Sequence, residues 1–148
     1  MDETGARRRN HWVNHIARRA HAKPGAIYLR FEGMSVTWAQ LHERIGVVAT
    51  ALRRRGVKAG DLVAIVMTNR PKFLETMFAA SALGAVVVPV NFRHAPAEIA
   101  YIVTDCGASL LVVDEPAGAA AAAARARRRC SISPSSARLG ACAASLTS

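Results

Sequence analysis

The chain has 148 residues, enough for one ordinary domain and too few for two. Half of them are apolar (51%), so composition permits a core, and the net charge is +10. That charge is unevenly spread: residues 1–115 hold 15 Lys/Arg and all 10 Asp/Glu, whereas residues 116–148 hold 5 Arg and no acid, so the last fifth of the chain supplies half of the basic excess.

Cys106, Cys130 and Cys142 form neither a disulfide framework nor a metal-ligand spacing, and a reduced, cytoplasmic setting is expected. The N-terminal "MDETGARRRNHW" has acids at its tip and no apolar run after its arginines, so no signal peptide is expected. The most apolar stretch, "AASALGAVVVPV", falls short of the ~20 residues that span a bilayer.

In chain order, residues 11–22 have helical spacing, with Trp12, Ile16 and Ala20 on one face. Residues 26–31 and 34–38 are β-rich runs joined by Glu32-Gly33, the signature of a tight hairpin. "TWAQ" then reads as a capping box, with Thr37 as cap and Gln40 reaching back. The helix it starts carries an apolar stripe of Leu41, Ile45, Val48, Ala49 and Leu52. Arg53, Arg54 and Arg55 crowd its C-terminal turn, where the helix dipole favours cations, and Gly56 closes it.

After the turn "KAGD", in which Asp61 caps the approach to the next strand, the pattern becomes regular. Residues 62–67 read as a strand covered on both faces. A helix follows, with Asn69 as expected cap, Pro71 in its first turn, Glu75 suited to the dipole and Gly84 at its end. Residues 85–90 read as a second buried strand, a helix runs from Pro96 to Gly107, and residues 109–114 read as a third buried strand. The expected fold class is therefore α/β: an N-terminal helix, a β-hairpin, then a β-α-β-α-β parallel unit. Residues 116–148, with 12 Ala and 6 Ser and no aromatic, are expected to be a disordered or weakly helical low-complexity tail.

The stretch from Met34 to Asp114 resembles the N-terminal part of the adenylate-forming (AMP-binding) superfamily, which includes acyl-CoA synthetases, luciferases and peptide-synthetase adenylation domains. "VTWAQL" looks like that family's first core motif and "ALGAVVVPVNFRHAPAEIAYIV" like its second. With "GDLVAIVMTN" they form one colinear block over roughly residues 10–114. The run "PVNFRHAPAEIAYIVTDCGASLLV" looks most like the fatty-acid and medium-chain acid–CoA ligases. The resemblance implies a reaction in two halves. A carboxylic (fatty) acid attacks the α-phosphate of ATP, with Mg²⁺, and the thiol of CoA then displaces AMP.

That chemistry needs a Gly/Ser/Thr-rich phosphate loop, an adenine pocket, a ribose-binding acid and a catalytic lysine on a mobile domain. The sequence holds no such loop and neither general phosphate motif. The resemblance therefore implies residues 1–115 as a truncated ligase domain, with no catalytic residue and no cofactor bound by the fragment itself. One site carries over: Asn91, Phe92 and Arg93, after the second motif's strand, would lie near the CoA nucleotide, with Arg93 pairing a phosphate. The plainer alternative is that Asn91 caps its loop and Arg93 makes a surface ion pair.

His11 and His15 are spaced i, i+4, but two histidines without a third ligand read as a solvated helix face. No serine has a histidine–acid arrangement around it. The competing function class is a small basic protein whose Arg-rich tail binds nucleic acid or another polyanion non-specifically. Against it, the tail has no aromatic side chain for base stacking. Its Ala/Arg/Gly/Pro/Ser composition is what a shifted frame in GC-rich DNA spells, so residues 116–148 are expected to be frameshift-derived. The isolated chain, with an incomplete sheet, is expected to be marginally stable or to aggregate, and to form no acyl-adenylate.

Overall fold

The structure, a computed structural model, describes residues 12–114 and the backbone of residues 143–145. The remainder of the predicted tail and His11 lie outside the described residues. Helix α1 (Trp12–Ala22) leads into a hairpin of β1 (Ile27–Phe31) and β2 (Met34–Thr37), followed by α2 (Trp38–Arg54). Then come β3 (Leu62–Val66), α3 (Pro71–Ala82), β4 (Val86–Pro89), α4 (Pro96–Asp105), β5 (Leu110–Val113) and the short β6 (Ala143–Ser145).

Local chemistry sets most of these boundaries. Glu32 and Gly33 both take positive φ (45° and 81°), the turn whose twist matches an antiparallel hairpin. The capping box is formed in both directions: Thr37 N–H donates to Gln40 Oε1 (3.0 Å) and Gln40 N–H to Thr37 Oγ1 (3.3 Å). Helices α2, α3 and α4 end alike, each on a positive-φ glycine followed by a buried apolar residue: Gly56-Val57, Gly84-Ala85 and Gly107-Ala108. In each case that residue's N–H bonds back into the last turn, to Leu52, Ala80 and Val103. Asp61 does cap its turn, accepting from Lys58 N–H at 2.8 Å.

The expected cap of α3 is displaced by one residue. Arg70, not Asn69, is its N-cap, in extended conformation (φ −125°, ψ 164°) and with no side-chain cap bond. Pro71 is the cause: its ring fixes a helical φ at the first helical position and disfavours helical geometry at the residue before it, so Arg70 stays extended and becomes the cap position.

Strands β4, β3, β5 and β6 form a parallel sheet in that order. Alternate residues of the two inner strands face opposite layers. Val63, Ile65, Leu110 and Val112 join Ile16, Leu41, Ile45, Leu52 and Phe78 beneath α1, α2, α3 and the hairpin. Ala64, Val66, Leu111 and Val113 pack with Ile99 and Val103 of α4 on the other face. Helices α3 and α4 thus leave the sheet on opposite sides, as crossovers of one hand require when the strand order reverses about β3.

Strand β4 is not buried but lies at the sheet edge, with Val86 52% exposed. Pro89 suits that place, because a proline cannot donate to a further strand. Trp12 is 70% exposed although it shares the face of α1 with buried Ile16. Ala143–Ser145 pair with Leu111–Val113, an element that the periodicity of the tail does not suggest.

Candidate functional site

The loops after β3 and β4 run to helices on opposite faces, which opens a crevice at the carboxyl ends of these two neighbouring strands. In an open parallel sheet that is where a ligand finds room and outward-facing backbone groups. A cleft of about 500 Å³ occupies the place. One wall is Met67, Asn69 and Phe73, from the end of β3 and the start of α3. The other is Pro89 and Val90 with Asn91, Phe92 and Arg93, so the three residues singled out in the sequence line one cavity.

The second wall is stiff for local reasons. Val90 N–H donates to Ile65 O (2.9 Å), the last rung tying this segment to β3. Asn91 Oδ1 then accepts from Arg93 N–H (3.0 Å), and His94 N–H donates to Asn91 O (3.1 Å), so the loop turns tightly about Asn91. The Arg93 guanidinium lies 5.5 Å from the Phe92 ring centroid. Among the described residues no carboxylate lies within 4.0 Å of it, so the surface ion pair considered for Arg93 does not form there. The nearby acid is engaged elsewhere: Glu98 Oε2 accepts from Ala95 N–H (2.8 Å) and lies 3.4 Å from His94 Nδ1.

The first wall is held by a contact that sequence reasoning missed. Asp114, only 9% exposed, follows β5, and its Oδ2 accepts from the backbone N–H of Thr68 (2.9 Å) and from the Thr68 hydroxyl. Thr68 follows β3, so the pair ties two adjacent strands together just below the cleft. Glu75, 6% exposed, accepts from Arg44 across α2 and α3, Nη1 to Oε1 at 3.2 Å, a partner the sequence reading did not foresee. No sequence signal could have found either pair, because the partners are 46 and 31 residues apart.

A second groove of about 490 Å³ lies between α1, the hairpin and α2. Tyr28 and Trp38 meet edge to face in its wall (4.7 Å between centroids), as do His15 and Trp38 (6.3 Å). Burial pushes the Tyr28 hydroxyl above its ordinary pKa. His15 is thus an aromatic neighbour of Trp38. Among the described residues no three His, Cys, Asp or Glu converge as a metal site.

Chemically, the cleft offers a guanidinium without a carboxylate partner among the described residues, two amide side chains and an apolar floor. That set suits an anion carrying a flat or apolar body, and it contains no nucleophile paired with a base. Fold and cleft together define an α/β unit with an open cleft at the carboxyl edge of a parallel sheet.

Residues 16–144 match the AMP-binding enzyme family, and the chain belongs to that family. The match runs beyond Asp114, where the motif resemblance stops. A feruloyl-CoA synthase from Amycolatopsis sp is 43% identical over 95 residues, which are 64% of this chain and 19% of that protein. The 4-hydroxybutyrate–CoA ligase 2 of Metallosphaera sedula is 41% identical over 80 residues, 54% of this chain and 15% of that one. The chain spans about one fifth of the length of the curated relatives it matches.

Among solved structures, a Rhodopseudomonas palustris protein assigned as a long-chain-fatty-acid CoA ligase superposes with a TM-score of 0.77 at 25% identity. The superposition covers 92% of this chain and 32% of that one. An o-succinylbenzoate CoA synthetase from Bacillus subtilis, a double mutant bound with its product analogue, gives a TM-score of 0.67 at 29% identity, over 70% of this chain and 21% of that one. No helix among the described residues is long and apolar enough to cross a membrane.

Proposed function

We propose that the chain is the N-terminal part of an acid–CoA ligase of the fatty-acid type, and that its cleft takes the nucleotide side of CoA. The observation that carries this reading is Arg93, without a carboxylate partner among the described residues, in a cavity at the strand ends of a sheet whose relatives are CoA ligases by name. A guanidinium over an apolar wall matches a phosphate beside a nucleoside, and a charge-assisted Arg–phosphate bond is among the stronger polar contacts available.

The residues present do not fit ATP and Mg²⁺. The sequence has no phosphate loop, and among the described residues no three His, Cys, Asp or Glu side chains gather as a metal site. The chain alone is therefore expected to give no ATP–pyrophosphate exchange with fatty acids, although the intact ligase would form an acyl-adenylate and then a thioester.

Titrating the full chain with CoA and with dephospho-CoA tests the cleft. CoA binding more tightly than dephospho-CoA, with the difference lost in Arg93→Ala, supports the reading. Absence of CoA binding, or an Arg93→Ala chain that still discriminates, overturns it.

The 43% identity to a feruloyl-CoA synthase favours a second reading in which the acid is an aryl acid. A thioester assay on the full-length product of the gene, with octanoate, palmitate and ferulate side by side, separates the two.

For residues 116–148 the proposal remains a shifted frame. Their composition supports it, while the family match to residue 144 and the pairing of β6 weigh against it. A downstream frame encoding a Gly/Thr-rich phosphate loop is the expected finding, and its absence would refute the frameshift.

A further inference from the structure

The buried carboxylate of Asp114 has no assigned role in binding CoA, yet its geometry relates it to the cleft. Strands β3 and β5 pair up to Val66 and Val113, and the tie from Asp114 to Thr68 extends that pairing past the end of the ladder. Thr68 is in turn the anchor of the next bend: its carbonyl accepts from Arg70 N–H at 2.8 Å, a closure over three residues with Asn69 at the apex. Arg70 O then accepts from Phe73 N–H (2.9 Å) in the first turn of α3. Two residues of this chain of bonds, Asn69 and Phe73, line the cleft opposite Asn91, Phe92 and Arg93.

We infer that Asp114 is a positioning residue of the cleft: through Thr68 it sets the Asn69 bend, and with it the wall that faces Arg93. Asp114 itself does not line the cleft. Its effect on a ligand therefore passes through Asn69, and a carboxylate suits the task because one oxygen serves both Thr68 donors at once. The neighbouring wall has its own tie, from Val90 to Ile65, so each side of the cleft is fixed to β3 independently. Loss of Asp114 would loosen only the Asn69 side.

The inference rests on the cleft being a CoA site, and the test separates the two. CoA affinity of the full chain is measured for wild type, Asp114→Ala, Asn69→Ala and the double variant. If Asp114 acts through Asn69, Asp114→Ala weakens CoA about tenfold, the scale of a lost charge-assisted bond, but has little further effect once Asn69 is gone. Thr68→Ser keeps both donors and binds as wild type, whereas Thr68→Val loses one donor and weakens binding.

Independent effects of Asp114 and Asn69 in the double variant, or an unchanged affinity in Asp114→Ala, overturn the inference. Amide hydrogen exchange decides it apart from CoA. Arg70 N–H is expected to exchange faster in Asp114→Ala, or in Thr68→Val should the first variant not fold, while Val90 N–H keeps its protection. Unchanged exchange at Arg70 refutes the positioning role. A wild-type chain that ignores CoA but shows this exchange pattern refutes the CoA reading and leaves the tie standing.

Discussion

Replacing Gly84 by alanine separates two costs that usually arrive together. Gly84 (φ 74°) and Gly107 (φ 66°) close α3 and α4 in the same way. An L-residue in that conformation is disfavoured by about 1–2 kcal/mol. A less flexible unfolded chain returns roughly 0.4–1 kcal/mol of it. Around Gly107 a new Cβ meets nothing within 4 Å, so Gly107→Ala is expected to cost only the net backbone term, about 1 kcal/mol. At Gly84 the new Cβ would lie 3.1 Å from Ala59 Cβ and 3.5 Å from Ala59 Cα. Ala59 cannot simply retreat, because the adjacent Gly60 N–H is bonded to Gly84 O at 2.9 Å.

Overpacking of this kind adds about 1 kcal/mol, for a total near 2 kcal/mol in Gly84→Ala. Urea unfolding followed by tryptophan fluorescence, at protein concentrations low enough to prevent association, gives both values. Measured against Ala59→Gly alone, Gly84→Ala should cost only the backbone part, because the steric contact is gone. Equal costs at Gly84 and Gly107, or an undiminished cost of Gly84→Ala in the Ala59→Gly background, would refute the reasoning.

Two more outcomes are expected from the contacts between elements. Arg44→Ala is expected to destabilise the fold by about 2 kcal/mol, below the loss typical of a fully buried pair because Arg44 itself is 48% exposed. The double variant Arg44→Leu/Glu75→Leu should regain most of that in the same urea assay; a double variant less stable than Arg44→Ala contradicts the account. Thr37→Ala removes one arm of the capping box and should cost about 1 kcal/mol, read as a lowered urea midpoint with an unchanged slope.

Where the deciding interaction is local, the sequence is legible. Glu32-Gly33, Thr37 with Gln40, Asp61 and the helix-closing glycines each act within a few residues, and their geometry is set by their order. The continuous apolar run of β3 marks it as the inner strand, and Val63, Ala64, Ile65 and Val66 are all fully buried. Strand β4 has a similar run, yet lies at the edge, because strand order depends on the crossovers and not on the run itself. Only Pro89 hinted at that position. The pairs Arg44–Glu75 and Thr68–Asp114 join residues far apart in the chain, so each acid looked like an ordinary helix or strand-end residue.

The site divides in the same way. Asn91, Phe92 and Arg93 were reached through the second motif, on the β4 side of the cleft. The opposite wall was not, because Asn69 carried a convincing local reading as a helix cap. Its actual place is set by Pro71 and by the tie to Asp114.

The central claim, that residues 12–114 are a working N-terminal part of an acid–CoA ligase, meets its most direct test in a chimera. The matching fifth of the Amycolatopsis feruloyl-CoA synthase is replaced by these residues, and feruloyl-CoA formation is measured with the purified product. The account predicts thioester formation that is absent when that fifth is simply deleted. A soluble, folded chimera that forms no thioester would contradict it.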